Sequence, residues 1–152
     1  MMELNNKVNN KKSLFEEIGK KELIVLILLF VFSIAIKLPT LHYPLSGDSV
    51  VYAELTKNLY ETRSYTINGE LHTQYPILFP LLSTPFMLFT NHMFALKFAV
   101  FVFSSLIIVL VYLIIRKLFN SITFSIIGAL LVLLNPWFFS YTGTFPLSEG
   151  LT

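Results

Sequence analysis

Apolar residues in this chain run continuously instead of alternating, and the longest runs have membrane-crossing length. Leu23 to Ile36 is apolar apart from Ser33, and it continues to Leu41 if the Lys37 ammonium snorkels to the interface. Phe98 to Ile115 carries no charge, and Ala95 and Leu96 extend it beyond Lys97. About 20 residues at about 1.5 Å of rise cover a hydrocarbon core of about 30 Å. Ile122 to Phe139 holds only Thr123, Ser125 and Asn135 as markedly polar side chains, with Pro136 and Trp137 marking an interface. The pattern predicts transmembrane helices over 23–41, 95–115 and 122–139, the last two joined by a short loop at 116–121.

The 42–94 segment is more organised than a linker. Val51, Tyr52, Leu55 and Leu59 draw one apolar stripe on a helix over 49–62, suited to lying along a membrane surface. Tyr65-Thr66-Ile67 and Glu70-Leu71-His72 flank Asn68-Gly69, the dipeptide of a two-residue hairpin turn. The apolar stretch that follows, up to Phe89, is interrupted by Pro76, Pro80 and Pro85 and is too short to span; it reads as a re-entrant or interfacial segment. Residues 1–22 form a polar tail or surface helix, with Leu14, Phe15 and Ile18 at helical spacing, and no chemistry is assigned to them. Residues 140–152 form a last short segment.

Composition agrees. With 55% hydrophobic residues, 13% charged residues and a mean hydropathy of +0.69, the chain is far from the roughly 25% charged residues of soluble domains. The expected class is an all-α polytopic membrane protein with three transmembrane helices and a structured loop. Leu38-Pro39-Thr40 lacks the small residues of a signal cleavage site, so the first run reads as a retained anchor. The absence of cysteine excludes disulfides and thiolate-held metals. A net charge of +2 gives no reason to expect a nucleic-acid partner.

Lysines set the orientation. Lys7, Lys11, Lys12, Lys20 and Lys21 precede the first run and Arg116-Lys117 follow the second, which places the N-terminus and the 116–121 loop in the cytoplasm. The 42–94 loop and the 140–152 segment then share the outer face, bringing Asp48 and Glu149 to one side. Lys37, Lys57, Arg63 and Lys97 are exceptions to the charge bias. Asp48, in Gly47-Asp48-Ser49-Val50-Val51-Tyr52, also suits an N-cap of the 49–62 helix. Glu149, soon after Pro146, suits the first turn of a helix. Tyr52 is one turn beyond Asp48 and reads either as an interfacial anchor or as a substrate contact. His42, His72 and His92 have no metal-ligand spacing. No cofactor is called for, although a divalent cation is compatible with the two acids.

The order of Gly47-Asp48, Tyr52-Ala53, Asn58-Leu59, Ser64-Tyr65, Gln74-Tyr75-Pro76-Ile77-Leu78-Phe79-Pro80, Asn135-Pro136 and Ser148-Glu149-Gly150-Leu151 resembles the N-terminal part of the GT-C membrane glycosyltransferases. The likeness is to the relatives of dolichyl-phosphate-mannose protein mannosyltransferases and of lipid A aminoarabinose transferases. Where that family commonly has an Asp-Glu pair and a double proline, this chain has Asp48-Ser49 and Tyr75-Pro76. The resemblance implies transfer of a sugar from a polyprenyl (dolichyl) phosphate to a protein, lipid or glycan acceptor on the extracytoplasmic face of a plasma or endoplasmic-reticulum-type membrane. Asp48 would then be the general base and Glu149 a second carboxylate positioning acceptor or metal. Lys57 and Arg63 would be the cations nearest the leaving phosphate, and Tyr52, Gln74 and Tyr75 would be substrate contacts. Such enzymes have many more spans, so the chain reads as an amino-terminal fragment, inactive by itself. Two rival readings remain. One is a non-enzymatic membrane subunit or scaffold; the other, ranked third because the spans hold almost no polar or ionisable residues, is a transporter fragment.

Overall fold

A computed structural model describes residues 19–45 and 47–144. The helical spacing at Leu14 to Ile18 and the acid Glu149 lie outside the described residues.

The first apolar run builds α1 (Lys20–Ala35), which tightens into a 3-10 turn over Leu38–His42. Pro39 stands early in that turn, where its missing N–H has no partner to lose. The second run builds α4 (His92–Phe119), whose 28 residues give a length of about 42 Å. Asn91 caps its start, the side chain accepting from the backbone N–H of Met93 at 3.1 Å and Phe94 at 3.2 Å. Its last turn carries Arg116 and Lys117, which complement the helix dipole, and ends at Asn120 in the left-handed conformation. Two helices, Lys20–His42 and His92–Phe119, are long and apolar enough to cross a membrane.

The third run departs from the expected single helix over 122–139. Instead α5 (Ile122–Leu133) stops, and α6 (Pro136–Phe139) starts on an axis bent by 60°. The residue before a proline is pushed out of the helical region, and Asn135 is extended at φ −63° and ψ 122°. Its side chain then accepts from the N–H groups of Trp137 at 3.0 Å and Phe138 at 3.2 Å, so the break is also a new helix start.

α1 and α5 both pack on α4, around Leu26, Leu29, Ile108, Tyr112, Ala129 and Leu133. Transfer of apolar surface out of water does not drive such packing inside lipid, so close approach and polar contacts must hold the helices together. Small residues permit the approach: a β-carbon on Gly128 would lie 2.1 Å from Cδ1 of Ile115 on α4.

The polar contacts correct two expectations. Lys37 does not snorkel outward; it is fully buried, donating to Ser104 Oγ at 2.6 Å and to Ser33 Oγ at 3.2 Å, with its Nζ 5.5 Å from the centre of the Phe138 ring. Ser105 donates to Ser33 at 2.9 Å and completes the cluster. Lys97 is also turned inward, donating to the carbonyls of Leu41 at 2.8 Å, Thr40 at 3.4 Å and Tyr43, and thereby holding the 3-10 turn. At the opposite end of the pair, Glu22 belongs to α1 and not to a tail without chemistry. It is buried, and accepts from Arg116 Nε at 2.8 Å and from the Tyr112 hydroxyl at 3.1 Å. The helix interiors therefore do contain ionisable side chains.

Between α1 and α4 lie α2 (Asp48–Glu61), the strands β1 (Thr66–Ile67) and β2 (Glu70–Leu71), and α3 (Leu78–Ser83), which runs into a 3-10 turn over Thr84–Leu88. α2 and α3 pack on each other and on α4. Leu78, Leu81, Leu82, Leu88 and Phe89 are exposed, so this short apolar segment presents a greasy face.

Candidate functional site

Gly47 precedes α2 at φ 54° and ψ −136°, a region that side chains rarely enter, and it lets the chain turn sharply into the helix. Asp48 is therefore the first helical residue and not the N-cap; its carboxylate lies in the first turn, where the dipole favours negative charge. Tyr52, one turn on, is buried with Ala53 and Leu96 of α4, and Leu45, Tyr75 and Phe79 pack around them.

The hairpin supplies the other wall. Asn68 and Gly69 both take positive φ, 53° and 86°, as a tight two-residue turn requires, and pair Thr66 with Leu71 and Ile67 with Glu70. One step outward that register sets Tyr65 opposite His72, whose N–H donates to the Tyr65 carbonyl at 2.9 Å. Asn58 of α2 anchors the hairpin by donating to the Thr66 carbonyl at 2.6 Å.

These elements converge on one acid. The Tyr75 hydroxyl donates to Asp48 Oδ1 at 2.7 Å, and the Tyr65 hydroxyl donates to the Tyr75 carbonyl at 2.9 Å. The Tyr52 ring meets the edges of Tyr75 at 5.0 Å and Phe79 at 5.5 Å, an arrangement favoured by the ring quadrupoles. His72 stacks on Tyr75, the ring centres 5.2 Å apart and the planes only 10° from parallel. Its Nε2 is buried and has no hydrogen-bond partner among the described residues, a condition that costs about 1–3 kcal/mol.

Three phenols around this acid are held neutral beyond their ordinary range. The hydrogen bond to Asp48, followed by burial, raises the pKa of Tyr75. Burial, followed by the Asp48 charge, raises that of Tyr52, and burial, followed by Tyr52, raises that of Tyr65. Tyr75 thus remains a donor at neutral pH and orients the partly buried carboxylate.

Of the residues singled out from the sequence, Asp48, Tyr52 and Tyr75 are brought together. Lys57 is not: nine positions along α2, at about 100° per residue, put it on the opposite side of the helix from Asp48. Arg63 is exposed, in a left-handed conformation just past the helix end, and Gln74 is exposed beside Tyr75 without joining its hydrogen bonds. Glu149 lies outside the described residues. Among those residues, no group of three or more His, Asp and Glu side chains could hold a metal ion. Tyr65, His72 and Phe79 were missed as site residues. The signal was present, because pairing outward from Asn68-Gly69 predicts the Tyr65–His72 apposition.

Comparison with family models, curated proteins and solved structures found no match to this chain.

Proposed function

We propose that this chain is the N-terminal portion of a membrane glycosyltransferase that moves a sugar from a polyprenyl phosphate to an acceptor on the outer membrane face. Asp48 is its general base. The observation that carries the reading is the contact between Asp48 and Tyr75, 27 positions apart, inside an aromatic cluster seated on an apolar helix. An acceptor hydroxyl is a weak nucleophile until a carboxylate takes its proton, and a positioned carboxylate needs an orienting partner. The aromatic rings provide surface for a sugar, and the exposed apolar face of the segment from Leu78 to Phe89 suits a prenyl chain arriving through lipid.

In this reading α5 and α6 together make a third, kinked crossing, with the N-terminus cytoplasmic and the Asp48 cluster outside. Thiols introduced at Gln74 and Lys117 of the cysteine-free chain test that topology: an impermeant reagent should label Gln74→Cys from outside and leave Lys117→Cys unlabelled. Because the chain supplies only the N-terminal portion in this reading, the catalytic role is tested in membranes where it is expressed joined to the remaining spans of the enzyme and supplied with labelled polyprenyl-phosphate sugars. Asp48→Asn should lower transfer by about 10²- to 10⁴-fold at an unchanged protein level. Full transfer by that variant would remove Asp48 as the base, whereas no transfer by the unsubstituted protein would favour the non-enzymatic subunit.

The buried lysines support a second reading, as a transporter subunit, because ionisable groups inside membrane helices commonly mark ion pathways. It ranks lower because apolar Leu26, Leu29 and Ile108 fill the seam between its two polar ends.

A further inference from the structure

We infer that two copies of this chain associate in the membrane through α5, with the break at Asn135 as the polar centre of their contact. The inference concerns the apolar helices and stands apart from the chemistry of the Asp48 cluster.

Depth is the first argument. Phe138, just past the break, lies over the Lys37 ammonium, which donates to Ser104. Ser104 stands about 18 Å from Arg116 along α4, so with α4 spanning the membrane the break lies near the middle of a hydrocarbon core of about 30 Å. The length of α5 agrees: its 12 residues climb about 18 Å from the Phe119 end of α4 before they stop.

At that depth no water is present, and backbone groups need protein partners. An unbroken helix would give the N–H groups of Trp137 and Phe138 to the carbonyls of Leu133 and Leu134. Both go to the Asn135 side-chain oxygen instead, so the two carbonyls lose their helical donors. The Asn135 amide nitrogen donates to nothing among the described residues. Leu134 and Asn135 are both exposed, which sets a spare acceptor beside a spare donor on the lipid face.

That pair selects a second copy as the occupant. Donor and acceptor one position apart are self-complementary across a two-fold axis, the Asn135 amide of each copy reaching the Leu134 carbonyl of the other. Lipid tails offer neither group, and an interhelical hydrogen bond from a side-chain amide is a recognised adhesive between membrane helices. The apolar surround fits as well: Phe124, Ile127, Leu131 and Leu134 are exposed and spaced as the seam of a helix pair requires.

The test uses the whole chain reconstituted in liposomes. Energy transfer between copies labelled at Lys117→Cys should follow a monomer–dimer equilibrium as lipid is added. Asn135→Ser keeps an oxygen to cap α6 but is too short to reach a second helix. It should raise the dissociation constant about tenfold, because two interhelical hydrogen bonds are lost. Independently, Leu131→Cys should oxidise to a disulfide-linked dimer, and Leu28→Cys, exposed within the α1 span, should not. A monomer at every lipid ratio, equal cross-linking at Leu28→Cys, or undiminished association in Asn135→Ser would each overturn the inference.

Discussion

The two ends of the α1–α4 seam bury charge in opposite ways. At one end Glu22 meets Arg116 at 2.8 Å, so a negative charge is cancelled by a positive one and Tyr112 adds a hydrogen bond. At the other, the described residues place only hydroxyls and an aromatic ring around the Lys37 ammonium, and only backbone carbonyls around that of Lys97. Counted along α4 at about 1.5 Å per residue, Ser104 sits about 18 Å from the His92 end and about 22 Å from the Phe119 end, so the Lys37 ammonium is held near mid-helix. Pairing gives stability that depends on both partners. Solvation by neutral dipoles makes a buried cation tolerable without making it strongly stabilising.

That difference is open to direct attack. Glu22→Leu removes one partner and strands Arg116 and Tyr112. It should lower stability by about 3 kcal/mol, at the lower end of the range for breaking a buried pair because the Arg116 side chain is 24% exposed and can turn toward water. Thermal unfolding in detergent reads this, and the Glu22→Leu/Arg116→Leu double variant should recover most of the loss. A single variant as stable as the parent would remove the contrast between the two ends.

Lys37→Met should have a smaller effect, within about 1 kcal/mol of the parent and in the stabilising direction, because an isosteric apolar chain ends the desolvation of an unpaired ammonium. Ser33 keeps its hydrogen bond from Ser105, and Ser104 keeps its bond to the Phe101 carbonyl at 3.2 Å. A loss comparable to that of Glu22→Leu would show that the lysine end is as tightly coupled as the acid end.

The smallest effect separates the seam from the Asp48 cluster. The Tyr75 pKa is raised above its ordinary value of 10.0, so the folded state holds its proton more firmly than the unfolded chain does. The resulting stability is present in full below pH 10 and is lost as the pH rises through the raised value, where the unfolded state has already released its proton. A slight fall in unfolding temperature above pH 10, smaller in Tyr75→Phe because Tyr52 and Tyr65 still contribute theirs, checks the sign. A rise, or an equal fall in the variant, would deny the hydrogen bond to Asp48 its part.

Much of the local architecture was legible in advance. Asn68-Gly69 announces the hairpin, the stripe from Val51 to Leu59 announces α2, and Asn135-Pro136 holds the two signals that end one helix and start another. The kink is less legible, because Pro136 beside Trp137 at the end of an apolar run also reads as an interface marker. Asp48 and Tyr75 were both singled out, but their contact was not foreseeable from their spacing. It depends on Gly47 setting the entry to α2 and on the hairpin returning the chain.

Unbroken apolar runs, cap residues and turn dipeptides act through neighbours a few positions away, so the chain's order alone determines that it is helical, apolar and hairpin-bearing. Which way a long side chain points depends instead on groups far off in sequence. Lys37 turns inward because Ser104, 67 positions on, offers its hydroxyl at 2.6 Å, and Glu22 is buried because Arg116, 94 positions on, meets it. Such choices are made when helices approach closely enough for one dipole or charge to replace the water another has lost, and only the assembled structure decides them.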